Sequence, residues 1–183
     1  LDTGSIANNT WYYWYLISNA SGSQVDVVFS TSPSSPTIGT GSLVNYTLYR
    51  YLGAAKTNGS AQWIKFYQYG SEFIWDTPIQ DGVSLSASTT ANTLQLTVPR
   101  KVVKVLINIQ CVGVETLISP PFVTSYLTSQ VTGSAGNSSG VNGFQQVYCW
   151  TDTSGYIRHV ENGNVSNLIW IMTMGWQDPG IRP

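Results

Sequence analysis

Hydrophobic and polar residues alternate along this chain in short runs with a period of two, and no stretch sustains the three-to-four spacing of an amphipathic helix. The alternation predicts ten strands: Trp11–Ser18, Val25–Ser30, Leu43–Tyr51, Gln62–Tyr69, Glu72–Trp75, Thr93–Val98, Val102–Ile109, Phe144–Trp150, Gly155–Val160 and Leu168–Met174. Turn chemistry falls between them, at Asn19-Ala20-Ser21-Gly22-Ser23, Ser32-Pro33-Ser34-Ser35-Pro36, Thr57-Asn58-Gly59-Ser60, Asp81-Gly82, Ser134 to Gly140 and Glu161-Asn162-Gly163. Asn58-Gly59 and Asn162-Gly163 read as exposed loop tips, because Asn-Gly takes positive φ at little cost. So many short strands with such punctuation predict an all-β fold, an antiparallel sandwich or a barrel, and not an α/β layer structure. The 183 residues suit one domain over 1–183 with a single core.

The densest apolar run is Trp11-Tyr12-Tyr13-Trp14-Tyr15. In a strand it divides, with Trp11, Tyr13 and Tyr15 on one face and Tyr12, Trp14 and Leu16 on the other. One face can serve the core while the other is available to a ligand.

Charge is scarce: 9% of residues are charged, against roughly 25% in an average globular domain. Eight basic residues are scattered over the whole length, so no stripe exists to neutralise phosphates and nucleic acid is not an expected partner. The apolar runs around Lys104 are far too short to span a bilayer, so no membrane insertion is expected. No charged segment followed by an apolar one opens the chain, which reads as a mature fragment or an excised domain. Asn-x-Ser/Thr sequons stand at Asn8, Asn19, Asn45, Asn58, Asn137 and Asn164, a pattern that an Asn/Ser/Thr-rich chain also produces by chance.

Reactive chemistry is thin. His159 is the only histidine and lacks a nucleophile elbow, so a packed or hairpin-exposed imidazole is expected rather than a general base. Cys111 and Cys149 lie in apolar, strand-like contexts and could form a disulfide or remain two buried thiols; their spacing from each other and from His159 matches no metal site. Glu72, Asp76 and Asp81 are the only clustered acids, and in a strand Glu72 and Asp76 share a face near Trp75. No cofactor motif is present. Aromatic rings, amides and hydroxyls remain, and these suit carbohydrate: C–H faces pack on indole and phenol rings, while hydroxyls exchange hydrogen bonds with Asn, Gln, Ser and Thr.

Tyr13-Trp14-Tyr15-Leu16-Ile17, a polar turn with Gly22, Val28-Phe29-Ser30-Thr31, Tyr46-Thr47-Leu48 and Gln62-Trp63-Ile64-Lys65-Phe66 occur in an order that resembles the cleaved head of the rotavirus outer-capsid spike, a family whose domain also begins with Leu-Asp, as Leu1-Asp2 does here. The resemblance covers roughly the first 75 residues. It implies a galectin-like sandwich of two antiparallel sheets, with another viral-spike β-barrel as the alternative, carried with the rest of the spike protein on the virion surface. It also implies a non-enzymatic attachment role on cell-surface glycans. Sialic-acid-binding members place an Arg before a Trp after the early Ser-Thr, whereas this chain has Ser32-Pro33-Ser34-Ser35-Pro36, so a neutral glycan is expected. The Trp of the family's Tyr-Trp-x-Leu motif matches Trp14, and Trp75 matches a later segment from which this chain departs by dropping residues before Thr77-Pro78. Trp14 and Trp75 are therefore the expected glycan-binding residues. Two rival readings are an astrovirus-like spike that binds a protein or dimerises through its aromatics, and a β-sandwich glycosidase using Glu72 with Asp76 or Asp81.

Overall fold

The computed structural model describes residues 1–86, 88, 90–112, 115–123, 137–138, 143–162 and 168–181. Its regular structure is antiparallel β-sheet, with one 3-10 turn at Gly41–Leu43 and no α-helix among the described residues. The chain gathers into two compact units, one comprising Leu1–Lys65 with Gly180–Pro183 and the other Phe66–Pro179.

The first unit holds a three-stranded sheet, ordered β2 (Val25–Ser30), β1 (Trp11–Ser18), β3 (Leu48–Lys56). β1 and β2 occupy the residues that alternation predicts. Between them Asn19 closes the turn: its backbone N–H donates to Gln24 O and its Oδ1 accepts from Gln24 N, both at 3.2 Å. The third strand is displaced from the expected Leu43–Tyr51, because residues up to Tyr46 are spent in consecutive turns around Leu43. What pairs with β1 instead is small: Gly53 lies opposite Trp14, Ala54 opposite Tyr13 and Ala55 opposite Tyr12. Large rings on the central strand need little beside them, and Ala54 and Ala55 are buried there.

The second unit is a sandwich of two sheets. The larger is ordered β10 (Gly143–Trp150), β7 (Lys104–Val112), β12 (Leu168–Gln177), β5 (Glu72–Ser86), β4 (Phe66–Tyr69). The smaller is ordered β6 (Asn92–Gln95), β11 (Tyr156–Asn162), β8 (Glu115–Ser119), β9 (Asn137–Ser138). Strict alternation along β7 sends Val105, Ile107, Ile109 and Cys111 inward. Ile169 and Ile171 from β12, Phe73 and Trp75 from β5, Ile157 from β11 and Ile118 from β8 complete the core. Phe73 and Trp176 stack with centroids 4.8 Å apart and planes within 3°, and Trp75 lies 5.0 Å from Trp176.

Three departures from the sequence reading have local causes. Asp81-Gly82, expected as a turn, lies within β5, where a Cβ on Gly82 would stand 2.9 Å from Leu85 Cδ1 and 3.2 Å from Ile171 Cβ; the glycine serves close strand approach. β5 runs well beyond Glu72–Trp75, because Pro78 falls in an irregular stretch between the Ile74 and Ile79 pairings with β12. A proline is tolerated where the ladder is interrupted. β8 was not expected at all, being a short run that ends just before Pro120-Pro121.

Asn58 caps its loop with Oδ1, which accepts from Ser60 N and Gln62 N, and the positive φ (57°) falls on Ala61 rather than on Asn58 or Gly59. Gly163 and most of Ser134 to Gly140 lie outside the described residues.

Candidate functional site: an aromatic and amide sheet face

Trp14 sits at the centre of its sheet and is half-buried, edge-on to Phe29 with centroids 5.4 Å apart. Phe29 in turn lies 5.5 Å from Trp63, which meets Tyr12 edge-on at 5.5 Å. The opposite face of β1, formed by Trp11, Tyr13, Tyr15 and Ile17, is wholly buried. Trp75 is 2% exposed, and its indole N–H donates to Thr97 O at 3.3 Å. Placed in the core with its N–H turned inward, Trp75 has no ring face to offer a ligand, contrary to the surface role that its position in the sequence suggests. The two expected residues fall in different units.

A larger set of outward-facing side chains lies on the five-stranded sheet. On β10, Phe144, Gln146, Tyr148 and Trp150 all point to solvent, while Val147 and Cys149 point inward. Strand register then sets neighbours in rows across the sheet. One row runs Tyr69, Glu72, Gln177, Lys104, Trp150 from β4 to β10, and the next runs Tyr67, Ile74, Gly175, Leu106, Tyr148. Farther along, Met172, Asn108 and Gln146 align, followed by Trp170, Gln110 and Phe144. Tyr69 at 71% and Phe144 at 69% are among the most exposed large side chains of the chain.

A Cβ on Gly175 would stand 2.1 Å from Phe73 O, so the position admits only glycine and lets β12 and β5 approach closely. A shallow depression on this face is lined by Glu72, Ile74, Leu106, Tyr148, Trp176 and Gln177. Lys104 Nζ lies 4.8 Å from the Tyr148 ring centroid, a cation–π contact that steadies the ring over one end of the depression. On the other side, the Tyr67 hydroxyl donates to Asp76 Oδ1 at 2.8 Å. Apolar walls with a carboxylate, an amide and an ammonium group at the rim can pack a C–H face and exchange hydrogen bonds with hydroxyls.

The remaining candidate groups are committed elsewhere. Asp81 points inward and accepts from Thr97 N at 2.8 Å, Thr97 Oγ1 at 2.6 Å and Thr173 Oγ1 at 2.5 Å. Glu72 and Asp76 share the outer face with their backbone positions about 13 Å apart, and the Asp76 carboxylate accepts from the Tyr67 hydroxyl. His159 is buried, with Nδ1 2.7 Å from Glu161 Oε1, and Glu161 Oε2 accepts from Ser88 N at 2.9 Å. This pair ties β11 to the chain beyond β5 and is closed to solvent. Cys111 and Cys149 are both free thiols. Cys149 pairs with Val105, six residues along β7 from Cys111, so the two lie about 20 Å apart, too far for a disulfide. Burial pushes the Cys149 thiol up to about 12.

Compared with known protein families, with curated proteins and with solved structures, the chain matches none. Sequence reasoning placed the strand of Phe144, Tyr148 and Trp150 correctly but did not single out those rings. The available signal was parity: Phe-Gln-Gln-Val-Tyr-Cys-Trp puts Val147 and Cys149 on one face and the aromatics on the other. Hydrophobicity alone would assign the larger rings to the core.

Proposed function

We propose that the chain is a non-enzymatic attachment domain that binds neutral carbohydrate through the outer face of its five-stranded sheet. The observation that carries this reading is the row of solvent-facing Phe144, Tyr148 and Trp150 beside outward Asn108, Gln110 and Gln146. Rings supply stacking surface and amides supply paired donors and acceptors, while Glu72 and Lys104 are the charged groups among the aligned side chains, with Asp76 beside Tyr67. The likeness of the first 75 residues to the rotavirus spike head supports a galectin-like sandwich, a place on a virion surface with the rest of a spike protein, and cell-surface glycans as partners. Weak contacts per domain would then be multiplied by many copies per particle. A glycan array with the whole chain tests the reading: neutral glycans are expected to bind, and Tyr148→Ala to lose that binding while the fold persists. Absence of binding to every glycan, with the protein folded, defeats it.

A second reading has its own observation. Val25, Val27 and Leu48 are exposed on the first unit's sheet, on the same side as Trp14, and such a patch suits a protein partner or a second copy. Sedimentation separates the two, since a monomer at micromolar concentration speaks against self-association.

A further inference from the structure

Resting on the carbohydrate reading, we infer that the ligand is an internal stretch of a neutral oligosaccharide lying across the strands from β4 to β10, and not a terminal monosaccharide. The rows of side chains carry this. Tyr69 and Tyr67 stand on the β4 edge, Trp150 and Tyr148 on the β10 edge, and the depression lined by Ile74, Leu106 and Gln177 lies between the two edges. Five strands at their usual spacing put the two aromatic edges about 19 Å apart. That is longer than any single sugar ring. Between the edges, the side chains change character from row to row. The row through Gly175 has Ile74 and Leu106 as half-buried apolar side chains on either side of it, and a ring can pack on these by its C–H face. The row beside it offers the Glu72 carboxylate, the Gln177 amide and the Lys104 ammonium group, which present acceptors and donors to hydroxyls along one side of the same ligand. Opposite charges on either side of Gln177 in that row leave no net preference for an anionic or cationic sugar. A chain that follows the row meets aromatic surface at both ends, and a monosaccharide in the depression reaches neither Tyr69 nor Trp150.

Calorimetric titration of the full chain with neutral tetrasaccharides of glucose, galactose, mannose and N-acetylglucosamine, each compared with its free monosaccharide, tests this. At least one tetrasaccharide is expected to bind more than tenfold more tightly than its monosaccharide. Tyr69→Ala and Trp150→Ala, at opposite edges, are each expected to weaken that tetrasaccharide roughly three- to tenfold, with the β fold retained by circular dichroism. Equal affinity for monosaccharide and tetrasaccharide, or loss on Tyr148→Ala with no effect of either edge variant, overturns the extended ligand and leaves the carbohydrate reading standing. Failure of every saccharide to bind the folded chain overturns both.

Discussion

At the scale of single residues, two positions make sharp demands. Cys149 is 2% exposed and its thiol is pushed up to about 12 by burial. The folded chain therefore holds this proton after an unfolded chain has released it. Stability is unaffected by the group at neutral pH and falls as pH rises from about 9 toward 12, with a slope of about 1.4 kcal/mol per pH unit. Urea titrations across that range should show the fall in the native chain and a shallower one in Cys149→Ala, measured against its own lower starting stability. Ala61 adopts φ of 57°, a region where a Cβ is strained. Ala61→Gly should raise stability by roughly 0.5 kcal/mol, strain relief outweighing the added freedom of the unfolded chain. A lower melting temperature in that variant would refute the argument. Neither demand is legible beforehand: Asn58-Gly59 carries the stronger turn signal, yet the Asn58 side chain caps the loop and passes the left-handed conformation to Ala61.

At the scale of elements, β1, β2 and β10 could be read from alternation almost to the residue, because each puts one parity in the core and the other outside or against a ring. β3 and β5 could not. Gly53, Ala54 and Ala55 have little strand propensity, and they pair with β1 because the aromatics opposite occupy the space. Pro78 and Asp81-Gly82 look like breaks, and β5 absorbs them through irregular pairing and a close approach to Ile171. Gly175 is the most constrained of these element positions. Gly175→Ala would drive a methyl group into the Phe73 carbonyl and should cost about 3 kcal/mol or more, read as a drop in the urea midpoint. A neutral outcome would mean that β12 and β5 are farther apart than described.

At the scale of the whole molecule, the low charge foreseen from composition becomes a property of a surface. The outer face carries aromatic rings and amides with Glu72, Asp76 and Lys104 as its charges, and a neutral ligand there has no ionic term to screen. Affinity should hold within twofold between about 0.05 and 0.5 M salt, and a marked loss would point to an anionic glycan. Composition also made carbohydrate the favoured ligand class before any fold was known, but it could not say which rings face water. Trp75 is core, and Tyr148 and Trp150 stand outside, a division that depends on which parity of each strand meets the smaller sheet of the second unit; Trp14 is half-buried in the first unit. The central claim is that the outer face of the five-stranded sheet is where carbohydrate binds. Amide chemical-shift mapping with the best-binding neutral tetrasaccharide tests it most directly. Shifts should concentrate at Leu106, Asn108, Tyr148, Trp150 and Gln177, with β1 unmoved; shifts centred on Trp14, or none at saturating saccharide, would contradict it.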